Sequence, residues 1–323
     1  MAETRTPRVS IIIPAYRCAD TLPAAIESGL AQSAACEVIV VDDASGDDTV
    51  AVARAMAARL PGLTVLEQPI NQGPAAARNR AILTARGDWI ALLDADDRME
   101  PERVENLLAL AEAHQWDLVA DDLIRVTDWD DPASRRRHWR DDEIGEIDVS
   151  LAQFARQNHY DHSGHGRELG YLKPLMNRTF LLDHELWYDE SMRLGEDFDL
   201  YARALVAEAR FGLTDPAGYY AFDTPGSLSR SHRAADLKQI FLSVRRLETQ
   251  LKPDDDARAP IRALRVLNHK KWAWVRLIEA VRTRNIIEAF QSFVAPPAVI
   301  GDLTARLREH FQDSDRRDID AEA

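Results

Sequence analysis

Asp88-Trp89-Ile90-Ala91-Leu92-Leu93-Asp94-Ala95-Asp96-Asp97 sets a short apolar run directly against a turn holding three carboxylates. The run from Asp88 to Leu93 reads as a buried strand. Carboxylates at the carboxyl end of such a strand sit where open α/β sheets bind ligands. Two aspartates one residue apart on a turning chain direct oxygen ligands toward one divalent cation. Oxygen-only ligation suits Mg²⁺ or Mn²⁺, typically shared with substrate phosphates. The same tetrapeptide also reads as an acidic turn that ends a strand and caps a helix opened near Pro101. Its surroundings weigh between the two.

Upstream, Val9-Ser10-Ile11-Ile12-Ile13-Pro14 reads as a first buried strand and Glu37-Val38-Ile39-Val40-Val41 as a second, which ends in Asp42-Asp43. Leu63 to Glu67 is a third. Between them lie helical stretches: Ala19 to Ala31, Thr49 to about Leu60 (stopped by Pro61-Gly62), and Ala75 to Ala85 after the turn Asn71-Gln72-Gly73-Pro74. Strands alternating with helices at this spacing predict an α/β fold, a mostly parallel sheet flanked by helices. Residues 128 to 168 break the pattern with runs such as Arg135-Arg136-Arg137-His138-Trp139-Arg140 and His162-Ser163-Gly164-His165. They predict a long loop, with a short helix over Val149 to Ala155. From Ala234 the pattern is helical, interrupted at Pro253 and Pro296-Pro297, with a charged, frayed end from Asp313 to Ala323.

The chain has 323 residues, 46% of them apolar and 29% charged, which describes an ordinary globular protein of one large domain with an appendage, or of two domains. A formal net charge of −14 argues against a nucleic-acid binder. Cys18 and Cys36 have neither CxxC nor zinc-ribbon spacing and read as free thiols of a reducing compartment. Met1 to Arg8 is polar, and no apolar run approaches the ~20 residues a spanning helix needs. A cytoplasmic protein is expected.

The ends of three strands, at Pro14, Asp43 and Asp94, should lie on one edge of the sheet and make it acidic. Neither GxGxxG nor GxxxxGK[ST] follows the first strand, which removes the Rossmann dinucleotide site and the Walker-type phosphate loop. The first lysine of the chain is Lys173, which disfavours a phospho-receiver domain despite Asp42-Asp43.

Four segments in this order resemble the family 2 glycosyltransferases of the GT-A fold: Val9–Tyr16, Val40–Thr49, Asn71–Asn79 and Leu93–Asp97. The resemblance continues through Leu172-Lys173-Pro174-Leu175, Gly195-Glu196-Asp197-Phe198-Asp199-Leu200 and Gly226-Ser227-Leu228-Ser229-Arg230, and so covers residues 8 to 232. Its later segments look most like bacterial exopolysaccharide glucosyltransferases of the succinoglycan type. The resemblance implies a Rossmann-like nucleotide-diphospho-sugar transferase domain over 1–235, with a nucleotide-binding half (about 8–125) and an acceptor half (about 126–235). A helical region over 236–323 follows. It implies further that Asp43 accepts a hydrogen bond from uracil near Pro14, Ala15 and Tyr16. Arg78, on the helix after Gly73, would approach the nucleotide. Asp94, Ala95 and Asp96 would form the DxD motif, Asp96 with Asp94 meeting the metal on the diphosphate. Each has a plainer reading: a turn cap for Asp43, a surface ion pair for Arg78, packing on the sheet edge for Tyr16.

Glu196 and Asp197 precede Leu200, Leu205 and Val206, a helical pattern that places both carboxylates at a helix N-terminus, where the helix dipole alone explains an acidic pair. By the resemblance this pair supplies the catalytic base, with Asp197 taking the proton from the acceptor hydroxyl. His232 is a further candidate metal or diphosphate ligand, and Lys173 a candidate for the acceptor or diphosphate region. Residues 258 to 284 hold eight Lys/Arg against one acid, Glu279. Ile261, Leu264, Leu267, Trp274, Ile278 and Val281 fall on one helical stripe, with Trp272 nearby. That pattern fits a basic amphipathic helix on the inner face of the cell membrane, or one packed in a domain or homodimer.

The expectation is therefore an inverting enzyme dependent on Mg²⁺ or Mn²⁺, moving a sugar (glucose) from a UDP-sugar donor to a saccharide or lipid-linked saccharide acceptor. Two rivals stand beside it. One is a catalytically silent nucleotide-sugar binder or scaffold. The other is a haloacid-dehalogenase-like phosphatase, which Asp97-Arg98 after Asp96 disfavours.

Overall fold

The structure is a computed structural model that describes residues 7–158, 168–223 and 232–322, with side chains to His310 in the last segment. His162, His165 and the Gly226–Arg230 segment lie outside the described residues. The chain divides into two compact units, Met1–Ser227 and Leu228–Ala323.

The first unit begins with β1 (Val9–Ala15), α1 (Leu22–Leu30), β2 (Cys36–Asp42), α2 (Thr49–Ala57), β3 (Leu63–Glu67), α3 (Pro74–Thr84) and β4 (Trp89–Leu92). It continues with β5 (Arg98–Met99), α4 (Arg103–His114), β6 (Leu118–Asp121), β7 (Ile124–Val126), β8 (Arg136–Arg137), β9 (Ile147–Asp148) and α5 (Leu151–Gln157). Beyond the undescribed stretch come β10 (Leu175–Asn177), α6 (Arg178–Asp183), α7 (Glu196–Val206), β11 (Phe211–Thr214) and β12 (Tyr219–Phe222).

The large sheet has the order β3-β2-β1-β4-β10-β6-β11-β9. Six of these strands run one way, while β10 lies antiparallel between β4 and β6, and β9 antiparallel on the edge beside β11. The central strands are apolar because both their faces are covered: Ile11, Ile12, Ile13, Val38, Ile39, Val40, Ile90, Ala91 and Leu92 are all fully buried. Pairing of Ile12 with Leu92 and of Ala15 with Asp42 brings the carboxyl ends of β1, β2 and β4 to a common edge. The chain keeps that alignment past the strands, because Asp43 N donates to Ala15 O at 2.8 Å and Leu93 N to Ile12 O at 3.1 Å.

Residues 128 to 168, expected as loop, contain β8, β9 and α5, the last close to the predicted Val149–Ala155 helix. A second sheet, β5-β12-β7-β8, had no sequence expectation at all. Its strands are two to four residues long, too short to show a period.

The second unit consists of α8 (Ala234–Gln250), α9 (Arg258–Arg282), α10 (Ile286–Gln291) and α11 (Pro297–Glu322). Pro253 falls between α8 and α9, and Pro297 opens α11 where its missing N–H costs nothing. The end expected to fray is carried as helix to Glu322. Ala273 and Leu277 of α9 form a core with Val299 and Leu303 of α11, against which Trp274 and Phe293 pack. Trp272 stacks on Phe241 of α8 with ring centroids 5.4 Å apart. Both tryptophans of the basic stripe are therefore turned onto neighbouring helices of this unit.

Candidate active site

The strand-end edge gathers most of the residues singled out above, and three elements bring them together. Gly73 starts α3 with φ of +90°, a conformation natural to glycine, and points the first turn of that helix at the end of β4. Gly195 does the same for α7 with φ of +76°. Between them, the extended Leu172–Lys173 segment leads into β10, which is hydrogen-bonded directly to β4.

Arg78, on α3, is 4% exposed and reaches Glu196 Oε1 at 2.7 Å, Asp94 Oδ1 at 3.0 Å and Asp197 Oδ1 at 3.4 Å. Lys173 Nζ lies 2.9 Å from Asp197 Oδ2 and 3.0 Å from Asp94 Oδ2. Two cations and three carboxylates thus share one largely buried cluster. Isolated burial of any one charge would be severely unfavourable, and mutual pairing offsets that cost across the set. Burial pushes Asp94 toward its neutral form, but Lys173 and Arg78 outweigh it and hold the carboxyl well below the usual range. Arg78 and Lys173 are held in their charged forms by Asp197 and Asp94 against the cost of burial. Glu196 goes the other way: burial, with Asp197 beside it, lifts its carboxyl above the ordinary value despite Arg78.

Asp197 Oδ1 is buried and makes no hydrogen bond with the described residues. Its other oxygen is anchored by Lys173, so one carboxylate oxygen is fixed on the lysine while the second faces the Arg78 guanidinium at 3.4 Å. Tyr188, whose ring lies 5.4 Å from the Arg78 guanidinium, has a buried hydroxyl that burial and the neighbouring Asp197 push well above its ordinary pKa.

Asp43 is 4% exposed, and its carboxylate closes the turn before α3. Its Oδ1 accepts from Gln68 Nε2 and Gln72 N, and its Oδ2 from Gly73 N, each at 2.7 Å. Three of about four acceptor directions are taken, leaving one on Oδ2. Pro14 and Ala15 end β1 beside it. Tyr16 presents 46% of its surface, with Arg17 5.2 Å over its ring.

Of the expected metal-binding residues, Asp94 is placed on Arg78 and Lys173, Ala95 is buried, and Asp96 is half-buried on the turn. No three His, Cys, Asp or Glu side chains among the described residues converge as a metal cage. The oxygen donor of Asp96 on this turn is of the chemical type that suits Mg²⁺ or Mn²⁺, which complete their shells from phosphate and water. His232 belongs to the second unit, where it is exposed ahead of α8.

Sequence reasoning passed over a supporting layer. Asp97, 4% exposed, accepts from Tyr219 Oη at 2.7 Å and Phe222 N at 2.8 Å, and Tyr219 Oη in turn accepts from Asp94 N. Burial, then the charges of Asp94 and Asp96, drive the Asp97 carboxyl well above the usual range. Fully buried Arg103 binds Asp121 Oδ1 at 2.7 Å and Lys173 O at 2.5 Å, fixing the backbone that carries the lysine. Asn79 grips Tyr188 through both backbone groups, at 2.9 and 3.0 Å, and so holds the chain leading to α7. Asn79 and Asp97 lie within the segments quoted above. Arg103 carried one legible signal, a cation beside Val104, Leu107 and Leu108 on an apolar helix face.

Comparison with known proteins identifies the family and the fold. The family model described as Glycosyl transferase family 2 matches residues 10–178. The succinoglycan biosynthesis protein ExoU of Rhizobium meliloti (strain 1021) is 36% identical over 95% of this chain and 90% of its own length. Among solved structures, residues 1–349 of S. aureus TarS in complex with UDP superimpose with a TM-score of 0.62 at 20% identity, covering 97% of this chain and 88% of that one. The mannosyltransferase PcManGT of Pyrobaculum calidifontis, in complex with GDP-Man and Mn²⁺, does so with a TM-score of 0.59 at 17% identity, covering 96% and 88%. These structural likenesses are likenesses of fold. By its family match and its full-length relative, the chain is a glycosyltransferase and belongs to glycosyl transferase family 2.

Proposed function

We propose that this enzyme transfers a sugar, glucose, from a UDP-sugar to a saccharide acceptor in the assembly of a bacterial exopolysaccharide, with inversion at the anomeric carbon. One observation carries the mechanism: Asp197 holds one oxygen on Lys173, while the other, buried and without a hydrogen bond, faces Arg78 at 3.4 Å inside the cluster that contains Asp94. The acceptor hydroxyl oxygen attacks the anomeric carbon as its proton passes to Asp197 Oδ1. The bond from that carbon to the diphosphate oxygen breaks, and the electron pair leaves with UDP. A positioned base of this kind contributes roughly 10²–10⁴-fold. Glu196, held by Arg78, orients its neighbour on the first turn of α7.

Asp96 would hold Mg²⁺ or Mn²⁺, which when bound neutralises charge on the diphosphate. Arg78 and Lys173 add positive charge to the same edge. Pro14, Ala15, Tyr16 and the remaining acceptor direction of Asp43 would seat the base, and Gly73 lets the chain approach it closely. The complexes of TarS with UDP and of PcManGT with Mn²⁺ support a metal-assisted nucleotide-sugar donor. The role of ExoU in succinoglycan biosynthesis supports the polysaccharide setting, in which the acceptor would be a saccharide or lipid-linked saccharide. The ordered catalytic cluster speaks against a silent binder.

Thermal-shift measurement against UDP-glucose, other UDP-sugars and GDP-mannose, with and without Mn²⁺, tests the donor. UDP-glucose with Mn²⁺ should give the largest stabilisation. A larger response to GDP-mannose would replace the donor, and no response to any nucleotide sugar would overturn the reading.

A further inference from the structure

Eight large apolar side chains of the described residues are exposed, and five of them fall within the fourteen residues from Val281 to Val294. Val281, in the last turn of α9, is 61% exposed, followed by Ile286 (70%), Ile287 (73%), Phe290 (73%) and Val294 (83%). The arrangement is amphipathic on a small scale. Ala289 and Phe293 pack inward on the core of α9 and α11, while Ile286, Phe290 and Val294, spaced four residues apart, face outward. An exposed face this apolar calls for an occupant.

Charge identifies it. Along α9, Arg262 and Arg265 bind Glu248, Lys270 binds Asp302 and Arg276 binds Glu288. Arg282 and Arg284, which border the apolar face, are exposed and pair with no described carboxylate. A local excess of cations in a chain of net charge −14 is complementary to an anionic surface.

We propose that residues 281–294 form a membrane-docking wedge, with Ile286, Ile287, Phe290 and Val294 entering the lipid boundary and Arg282 and Arg284 meeting anionic headgroups. The tryptophan stripe of α9 is the internal side of the same unit. This proposal rests on the surface of the second unit and is independent of the catalytic reading.

Flotation of the full chain with vesicles tests it, using phosphatidylcholine alone and phosphatidylcholine mixed with phosphatidylglycerol. The protein should float with the anionic vesicles at low salt and be released as salt rises. The exposed-site double variant Ile286→Ser/Phe290→Ser should lose at least about tenfold in vesicle binding, because each apolar side chain taken out of lipid removes its own burial term. Arg282→Glu/Arg284→Glu should lose the preference for anionic vesicles. Both variants should keep wild-type melting temperature and UDP-sugar binding. Failure of the wild type to float, or undiminished flotation of the serine variant, would overturn the proposal. So would a fall in molecular mass on introducing the serines, seen by light scattering, because that outcome makes the face a contact between copies.

Discussion

Lys173 Nζ donates to Asp197 Oδ2 at 2.9 Å, joining the segment that leads into β10 to the first turn of α7. Both partners are buried, and Asp94 shares the lysine at 3.0 Å. The bond therefore fixes the orientation of Asp197 and compensates two carboxylates at once.

Replacing Lys173 by methionine leaves those carboxylates facing each other with Arg78 as their remaining cation. Breaking a buried pair from one side costs roughly 3–5 kcal/mol. Lys173→Met should accordingly lower chemical-denaturation stability by that order, and Lys173→Met/Asp197→Asn should recover part of the loss. Additive effects of the two substitutions would show that the pair is not coupled.

Metal dependence should run through Asp96. Calorimetric titration with UDP should give weaker binding after EDTA treatment, and Asp96→Ala should bind UDP at about the EDTA-treated level with or without Mn²⁺. Affinity in the wild type that ignores metal would remove the ion from the account.

Glu37 offers a pH test of the scaffold beneath the site. Burial raises its carboxyl, but Ser10 Oγ, Arg86 N and the Arg86 guanidinium bind it at 2.6–2.8 Å and hold it below the ordinary value. A depressed folded-state pKa contributes stability above the unfolded pKa, and that stability fades as pH falls through the folded one. Glu37→Gln should cost about 1–3 kcal/mol at neutral pH. The gap from wild type should narrow as pH falls below the usual carboxylate range. A gap that is constant with pH would mean the charge of Glu37 contributes nothing.

Asn79→Ala should cost about 1–3 kcal/mol, since it strands the buried backbone N–H and C=O of Tyr188. Because that segment leads into α7, the acceptor KM should rise while UDP affinity holds. Unchanged stability would show that the Tyr188 chain is held by other contacts.

The half of the fold with long, fully buried strands was legible in sequence. Val9 to Ala15, Cys36 to Asp42 and Trp89 to Leu92 are apolar runs bounded by Pro and Asp, so strand, edge and carboxylate position could be read together. The second half was not. β5, β7, β8 and β12 are two to four residues long, and their placement depends on pairings across the chain, such as Tyr220 with Arg98 and with Ile124. The same reason hid the supporting layer. Asp97 is distinguished from an ordinary turn residue by Tyr219, 122 positions away, and Arg103 from a surface cation by Asp121 and the carbonyl of Lys173. Asp94 showed its acidity in the sequence, but its occupation by Arg78 and Lys173 needed the fold.

The central claim is that Asp197 takes the acceptor proton, and Asp197→Asn tests it most directly because it keeps the shape of the side chain and removes its basicity. Turnover, UDP-sugar affinity and melting temperature are measured on one preparation. The account predicts donor affinity near that of wild type and transfer reduced by roughly 10²–10⁴-fold. An Asp197→Asn enzyme that transfers sugar at nearly the normal rate would contradict it.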